Sequence, residues 1–174
     1  MKTIIAVTLL GILMHAYAKE CELKQPASNF NSDQYFSIPR VYVTHSKTGQ
    51  QEVVCRKYET TKNEDGTSVT VTSPDGGTSS GPTVTCTNTP KTDKNGQFSI
   101  ECVLPQGGTY QVSSSVLATD NQNYAVLQRC DTSGQEDILV LQTNKDGVNE
   151  AVTKYIEGQG WNINDWMSRG KANC

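Results

Sequence analysis

Residues 97–129 read QFSIECVLPQGGTYQVSSSVLATDNQNYAVLQR, and their pattern is the clearest indication of the fold. Three segments rich in Val, Ser, Thr and Tyr alternate with turn residues, and each segment has the length of a strand. Gly107-Gly108 separates the first two segments and supplies the positive φ that a tight hairpin requires. A second turn follows at Thr119-Asp120. The stretch therefore predicts three antiparallel strands joined by short connections.

The same alternation runs through most of the chain, with a turn about every ten residues, which is typical of an antiparallel meander. Asp65-Gly66 and Asn95-Gly96 mark two further hairpins. About eight strands closed into an up-and-down barrel leave no open sheet edge and enclose room for one small ligand. We predict an all-β fold with strands at Val41–His45, Val53–Thr60, Ser68–Thr72, Thr83–Thr87, Gln97–Val103, Tyr110–Ala118, Tyr124–Arg129 and Ile138–Thr143.

Two segments depart from the strand pattern. Thr72–Pro82, with the sequence TSPDGGTSSGP, is rich in Gly and Ser but short, so we predict a long hairpin loop rather than a domain boundary. Further on, the apolar residues of Val148–Gln159 recur at helical spacing before Gly160. We expect this run to form a single C-terminal α-helix that packs outside the barrel.

The N-terminus has the features of a secretory signal. A charged start is followed by an apolar run, Thr3–Met14, and by an A-x-A ending at Ala18. The run is shorter than the roughly 18 to 20 apolar residues that cross a bilayer. We expect residues 1–18 to be a signal peptide and residues 19–174 to form one secreted, extracellular domain.

Charge and cysteine content narrow the possible partners. The formal net charge is −3, so the chain has no excess of cations for nucleic acid or for a membrane surface, and we expect neither as a partner. All 6 cysteines lie beyond the predicted signal peptide. An even number of cysteines in an exported chain predicts a disulfide framework, whose pairing the count leaves open. We expect a monomer.

The sequence offers little catalytic or metal-binding chemistry. His45 is the one histidine beyond the predicted signal peptide, and it follows an alternating strand, where we expect a structural histidine. A Ser-His-Asp triad, a zinc site and a haem site each need more partners than this residue supplies. Acidic residues in predicted turns serve solubility and capping; they include Asp120, Asp131, Glu136 and Asp137. We predict a protein that is not an enzyme and holds no metal and no cofactor.

Several short segments carry a resemblance to a known family. They read YFSIPRVYVTH at residues 35–45, VCR at 54–56, CTNTPK at 86–91, ATDNQNYA at 118–125 and WMSRGKANC at 166–174. The chain resembles the salivary lipocalins of blood-feeding triatomine bugs, the triabin- and pallidipin-like branch of the calycin superfamily. Pro39, Arg40 and Val41 replace the Gly-x-Trp of most lipocalins, so the usual tryptophan at the barrel floor is missing.

The resemblance implies an eight-stranded lipocalin barrel with one C-terminal helix, and it implies a pairing of the cysteines. By similarity Cys21 joins Cys130 and Cys55 joins Cys174, which leaves Cys86 with Cys102. The last pair falls on successive predicted strands, where the turn at Asn95-Gly96 brings the two residues side by side.

The implied bridge from Cys55 to Cys174 suggests which side chains face the barrel interior. If Cys55 points outward, alternation sends Val54, Arg56 and Tyr58 inward. An inward Arg56 is a candidate anchor for a ligand carboxylate, but it could equally pair with an internal acid or extend to the barrel rim. Further candidates for the cavity lining are Val112, Ser114, Val116, Leu127 and Arg129.

The resemblance also implies an antihaemostatic function, for which we keep two hypotheses. In the first, the barrel sequesters a small hydrophobic carboxylate, an eicosanoid of the thromboxane A2 type, and so inhibits platelet aggregation. In the second, surface loops inhibit a host clotting, contact-pathway or platelet protein. An open barrel interior favours the first hypothesis, and a filled one leaves only the second. A biogenic amine would require an acidic interior, which the sequence does not predict.

Overall fold

The computed structural model describes residues 21–49, 51–76 and 81–174, so the predicted signal peptide lies outside the described residues. These residues form a barrel of antiparallel strands. Hydrophobic and polar side chains alternate along several of its strands, as in a sheet with one face towards a core. The strands are β1 Val41–Ser46, β2 Arg56–Lys62, β3 Ser68–Pro74, β4 Val84–Pro90, β5 Gln97–Val103, β6 Thr109–Thr119, β7 Tyr124–Asp131, β8 Glu136–Gln142 and β9 Met167–Ser168.

Strand β1 closes the barrel. Strands β2 to β8 pair in sequence order, and β8 then pairs with β1. The first residues of β1 also pair with β2, with Val41 opposite Tyr58. The last residues of β1 pair with the short β9, which is a ninth strand outside the meander. The predicted eight-stranded antiparallel barrel is confirmed, because every strand of the meander has two neighbours.

All eight predicted strands are present, with bounds that agree to within three residues, and near Val53 the predicted strand is replaced by a helix. The prediction placed Val53 and Val54 in a strand, whereas the structure has a short helix, α2 (Gln51–Val54), and the strand begins only at Arg56. Val54 is fully buried beside Ala172 and Cys55 in the core. Burial against the C-terminal segment therefore overrides the β-propensity of two adjacent valines.

One end of the barrel, which we call the floor, is closed by the N-terminal segment. Asn31 caps the short helix α1 (Ser32–Tyr35), and its main-chain N–H donates to Asn121 Oδ1 in the β6–β7 turn at 3.0 Å. Gly96 adopts a φ of +94° in the β4–β5 turn, and any side chain there would meet Phe30 and Pro26. The opposite end, formed by the β1–β2, β3–β4, β5–β6 and β7–β8 connections, is called the mouth.

The predicted C-terminal helix is present as α3 (Glu150–Gly158), and it packs outside the barrel. Asn149 caps its first turn by accepting from Ala151 N at 2.9 Å. Val152 and Ile156, one turn apart, are fully buried against the outer faces of β6, β7 and β8. A single 3-10 turn, Ile163–Asp165, follows, and a last short helix is α4 (Arg169–Ala172). No helix among the described segments is long and apolar enough to cross a membrane.

The three disulfides have the pairing that the resemblance implied. Cys21 joins Cys130, Cys55 joins Cys174, and Cys86 joins Cys102. The first two bridges span 109 and 119 residues and tie both ends of the described chain to the barrel. The third joins residues that lie directly opposite each other on β4 and β5.

A buried arginine fastens the C-terminal segment to the mouth. The Arg169 side chain is only 10% exposed. Its guanidinium donates to Val54 O at 3.1 Å, to Asp75 O at 2.8 Å and to Asp75 Oδ2 at 2.7 Å. One residue of α4 thereby connects α2 with the start of the β3–β4 loop.

Candidate ligand-binding cavity

The barrel interior contains a cavity of about 300 Å³. Its volume is at the lower end of the range for small-ligand sites. Towards the floor its lining is aromatic and aliphatic, and towards the mouth it includes two arginines. The lining comprises Tyr35, Phe36, Ile38, Val41, Glu52, Val53, Arg56, Tyr58, Thr60, Thr70, Thr72, Pro82, Val84, Cys86, Asn88, Phe98, Ile100, Cys102, Tyr110, Val112, Ser114, Val116, Leu127, Arg129 and Leu141.

Four aromatic rings pack together at the floor of the barrel, and three of them line the cavity. Phe98 on β5 contacts both Phe30 and Phe36 edge-on, with ring centroids 5.9 and 5.4 Å apart. Tyr35 packs against Phe30 and Phe36. These side chains occupy the end of the barrel that a tryptophan closes in most lipocalins, so the N-terminal segment compensates for the missing Gly-x-Trp.

Arg56 lies at the mouth end of β2 and lines the cavity. Its Nη2 donates to Pro82 O at 2.6 Å, to Thr72 O at 3.2 Å and to Thr72 Oγ1 at 3.1 Å. All three acceptors are neutral, and within the described chain no carboxylate lies within 4.0 Å of the guanidinium. Of the three interpretations of Arg56, the internal ion pair is therefore not formed among the described residues. A ligand anchor and an extension to the barrel rim both fit its position at the mouth.

A second arginine lines the cavity on the far side of the barrel. Arg129 on β7 points inward, and its Nη1 is 3.5 Å from the Tyr58 hydroxyl. Like Arg56, it forms no ion pair with any described residue. The described lining thus holds two guanidinium groups and one carboxylate, that of the exposed Glu52. This charge balance favours an anionic group in the cavity over a cationic one.

A row of polar side chains forms one wall of the cavity. Thr60, Thr70 and Thr72 project inward from β2 and β3, and Asn88 projects inward from β4. Thr60 and Thr70 are opposite each other in the register and share a hydrogen bond of 2.9 Å between their hydroxyl oxygens. The facing wall is aliphatic and includes Val116, Leu127 and Leu141.

Tyr35 adds a hydrogen-bond donor to the cavity. Burial raises the pKa of its phenol well above the ordinary value, and the nearby Tyr58 adds a smaller effect in the same direction. Tyr35 therefore keeps its proton at physiological pH and can donate a hydrogen bond into the cavity.

The cavity lining includes seven of the eight side chains that the sequence marked as ligand-binding candidates. Val54 is the exception, because it lies in α2 and packs in the core, so strand alternation begins only after Cys55. The seven are Arg56, Tyr58, Val112, Ser114, Val116, Leu127 and Arg129.

Sequence reasoning missed the polar wall, the floor aromatics and the position of one disulfide. Cys86 and Cys102 both line the cavity, so their bridge is part of the barrel interior. The alternation of Thr70 and Thr72 was visible in the sequence, but it does not show which face of β3 is inward. Asn88, two residues after Cys86 on β4, has the same facing as that cysteine and could have been placed with it.

His45 and the acidic residues that the sequence analysis considered lie away from the cavity. His45 lies on β1 between β8 and β9, and its side chain is on the outer face of the barrel. Its Nδ1 is 3.2 Å from Thr44 Oγ1. Glu136 and Asp137 open β8 rather than occupying a turn, and Asp137 accepts from Ser46 Oγ at 2.6 Å. Among the described residues no group of three His, Cys, Asp or Glu side chains is placed to hold a metal ion.

A closed eight-stranded barrel with an internal cavity, closed at the floor by an N-terminal segment and flanked by a C-terminal helix, defines a lipocalin-type protein. Two solved structures have this fold. The tryptamine complex of the amine-binding protein of Rhodnius prolixus is 20% identical, with a TM-score of 0.71 over 88% of each chain. The complex of LTBP1 with leukotriene C4 is 22% identical, with a TM-score of 0.67 over 80% of this chain and 88% of LTBP1.

The sequence identifies the branch more closely. The Triabin family matches residues 14–154, and the chain belongs to that family. Dipetalodipin of Dipetalogaster maximus is 54% identical over 183 residues, which cover 100% of both chains. The platelet inhibitor triplatin-2 of Triatoma infestans is 49% identical over 180 residues, again with 100% of both chains covered.

Proposed function

We propose that this protein is a secreted salivary lipocalin that impairs host haemostasis by sequestering a small lipid carboxylate in its barrel. The ligand class is an eicosanoid of the thromboxane A2 type, and removing it from solution inhibits platelet aggregation. The mature protein acts as a monomer formed by residues 19–174, and it is not an enzyme.

The observation that carries the proposal is the pair of arginines in an otherwise largely uncharged cavity. Arg56 and Arg129 line the barrel interior without a carboxylate partner among the described residues. A guanidinium that is partly removed from water gains most from an anion, and its planar fork matches a carboxylate. The apolar floor then accommodates the hydrocarbon part of the same ligand.

The names of relatives and structural neighbours agree with this proposal. One relative of similar length is a platelet inhibitor, and one neighbour of the same fold binds leukotriene C4. Another neighbour binds tryptamine, which is a cation. The single exposed carboxylate of Glu52 gives this cavity little to hold a cation, so we favour the lipid carboxylate.

The first test is isothermal titration calorimetry of the oxidised mature protein with a stable thromboxane A2 analogue. We expect saturable binding in a one-to-one complex. Arg56→Ala should weaken it by about 10- to 100-fold, because a hydrogen bond between charged groups is lost. Arg40→Ala is the matched control, since Arg40 lies outside the cavity lining and pairs with the exposed Glu59.

Two results would change the proposal. If Arg56→Ala and Arg40→Ala bind equally well, Arg56 is not the carboxylate anchor. If the native protein gives no heat with any eicosanoid, the lipid mechanism fails, and inhibition of a host clotting, contact-pathway or platelet protein by the mouth loops replaces it.

A further inference from the structure

The Asn88 side chain has an unusual set of partners in the cavity wall. It is 7% exposed. Its Nδ2 donates to Thr70 Oγ1 at 2.9 Å and is within 3.1 and 3.2 Å of the main-chain and side-chain oxygens of Ser68. The amide nitrogen is therefore fully used.

The amide oxygen of Asn88, in contrast, is not used by any described residue. Ser68 O is a main-chain carbonyl and can only accept, so the atom facing it must be the amide nitrogen, and this fixes the orientation of the amide. Within the described chain no donor lies within hydrogen-bonding distance of Asn88 Oδ1. A buried carbonyl without a donor is costly, so a ligand or water must supply one.

The neighbouring threonines supply the complementary group. Thr70 Oγ1 accepts from Asn88, and it shares one hydroxyl proton with Thr60 Oγ1 at 2.9 Å. Two hydroxyl groups have two protons and this bond uses one, so the other stays free to donate. The same wall thus presents one free acceptor and one free donor, which is what an alcohol needs to make both of its hydrogen bonds.

The position of this wall relative to the arginine sets the ligand geometry. The Arg56 guanidinium contacts Thr72 Oγ1 at 3.1 Å, and Thr70 lies two residues from Thr72 on β3, which at the rise of a strand is about 7 Å. Strand β2 runs from the mouth towards the floor, so Thr60, Thr70 and Asn88 lie deeper than the guanidinium. A ligand anchored by its carboxylate at Arg56 would place a mid-chain or distal group at the wall.

We propose that Asn88 Oδ1 and the Thr60–Thr70 hydroxyl pair form a subsite for a hydroxyl group of the bound lipid. The protein then selects hydroxylated lipid carboxylates over the unsubstituted fatty acid of the same length. This inference rests on the proposed function, because it concerns the same cavity and requires that a lipid carboxylate enters it. Selectivity arises because a hydrocarbon at this position would leave the buried carbonyl without a donor.

The test compares arachidonic acid with its monohydroxylated derivatives, which share its length and its carboxylate and differ in the carbon that bears the hydroxyl. Binding is measured by titration calorimetry on the oxidised native protein. We expect at least one hydroxylated isomer to bind at least about tenfold more tightly than arachidonic acid, as one satisfied buried hydrogen bond provides.

Variants then test whether the preference for the hydroxylated lipid depends on the Asn88 and Thr60 side chains. Asn88→Leu removes the acceptor, and Thr60→Val removes a hydroxyl with little change of shape. Each should reduce the ratio of the two affinities towards unity by weakening the binding of the hydroxylated lipid. If Asn88→Leu does not fold, as judged by its circular dichroism spectrum and melting curve, Thr60→Val carries the test. Thr87→Val, next to Asn88 on β4 but exposed, should keep the full preference.

Different results would overturn the hydroxyl subsite and the proposed binding of a lipid carboxylate. Equal affinity of the native protein for arachidonic acid and all its hydroxylated derivatives would overturn the hydroxyl subsite and leave the lipid carboxylate proposal standing. A preference that survives both Asn88→Leu and Thr60→Val would also overturn the subsite. Absence of binding by every one of these carboxylates would overturn the proposed function and this inference together.

Discussion

Arg169 is the most deeply buried charged residue among the described residues. Its buried guanidinium holds Val54 O, Asp75 O and the Asp75 carboxylate in one cluster. Replacing Arg169 leaves the Asp75 carboxylate, among the described residues, with only Lys145, whose Nζ is 3.8 Å away, and leaves two carbonyl groups without their donor.

We therefore expect Arg169→Met to lower the free energy of unfolding by about 3 kcal/mol, as measured by urea denaturation at neutral pH. Arg40→Met is the control, because its ion pair with Glu59 is exposed and its loss should leave the urea midpoint nearly unchanged. Equal midpoints for the two variants would show that the Arg169 cluster does not stabilise the fold.

His45 should make stability depend on pH in the mildly acidic range. Burial lowers the pKa of His45, and the charge of Lys171 lowers it further. In the unfolded chain the pKa is about 6.5, so the unfolded state binds the proton more readily. The stability contributed by neutral His45 is fully present above that pH and is lost as the pH falls towards the lower folded-state pKa.

Melting temperatures of the native protein and of His45→Gln test this expectation. Between about pH 7.5 and about pH 5 the native protein should lose more stability than the variant, because only the native protein must protonate an imidazole in a buried position. Parallel melting curves for the two proteins would show that His45 does not contribute.

At the residue scale, sequence reasoning succeeded where one fixed neighbour set the facing of a strand. The implied bridge at Cys55 was enough to turn Arg56 and Tyr58 inward, and the cavity includes both. The same reasoning failed for Val54 because the chain leaves the strand conformation before Cys55. The free amide oxygen of Asn88 was missed because it follows from contacts with the neighbouring strand. Ser68 and Thr70 accept from the amide nitrogen, and only these hydrogen bonds show that the oxygen is left over.

At the scale of elements, the β6–β7 turn shows how a loop can be built from one carboxylate. Asp120 Oδ1 accepts from the main-chain N–H groups of Gln122, Asn123 and Tyr124 at 3.0, 2.7 and 3.2 Å. Burial acts to raise the pKa of Asp120, but these hydrogen bonds outweigh it and lower the pKa below the usual value. The β6–β7 turn also holds Asn121 against the N-terminal segment at the floor.

Asp120→Ala should lower the free energy of unfolding by about 1 to 2 kcal/mol at neutral pH, because three main-chain donors lose their acceptor. The difference from the native protein should shrink as the pH falls through the lowered pKa, where the native carboxylate is itself protonated. Thermal melts at neutral and strongly acidic pH measure both effects. Asp146→Ala, in an exposed loop, is the control, and an equal loss in that variant would contradict the prediction.

The long strands and α3 were predictable because each has a repeated hydrophobic pattern and turn residues at its ends. The bounds of β5 agree at both ends, and α3 begins two residues inside the predicted run. Helices α1, α2 and α4 have four residues each, which is too short for a helical period to be visible. Their positions depend on contacts with distant parts of the chain, such as Arg169 with Val54 and Asn31 with Asn121.

At the scale of the whole molecule, the disulfides should contribute unequally to stability. In the chain-entropy model a closed loop of 109 residues is worth about 5 kcal/mol and one of 16 residues about 3 kcal/mol. The double variant Cys21→Ala/Cys130→Ala should therefore melt at a lower temperature than Cys86→Ala/Cys102→Ala, as measured by calorimetry. The reverse order would indicate that the bridge lining the cavity supports the barrel more than loop closure predicts.

The two long-range bridges also overlap along the chain, one spanning Cys21 to Cys130 and the other Cys55 to Cys174. Wherever the backbone is cut once between Cys21 and Cys174, at least one bridge has a sulfur on each side of the cut. A single proteolytic cut in that interval therefore cannot release a fragment, because a disulfide still joins the two pieces. The two polypeptides separate only after reduction.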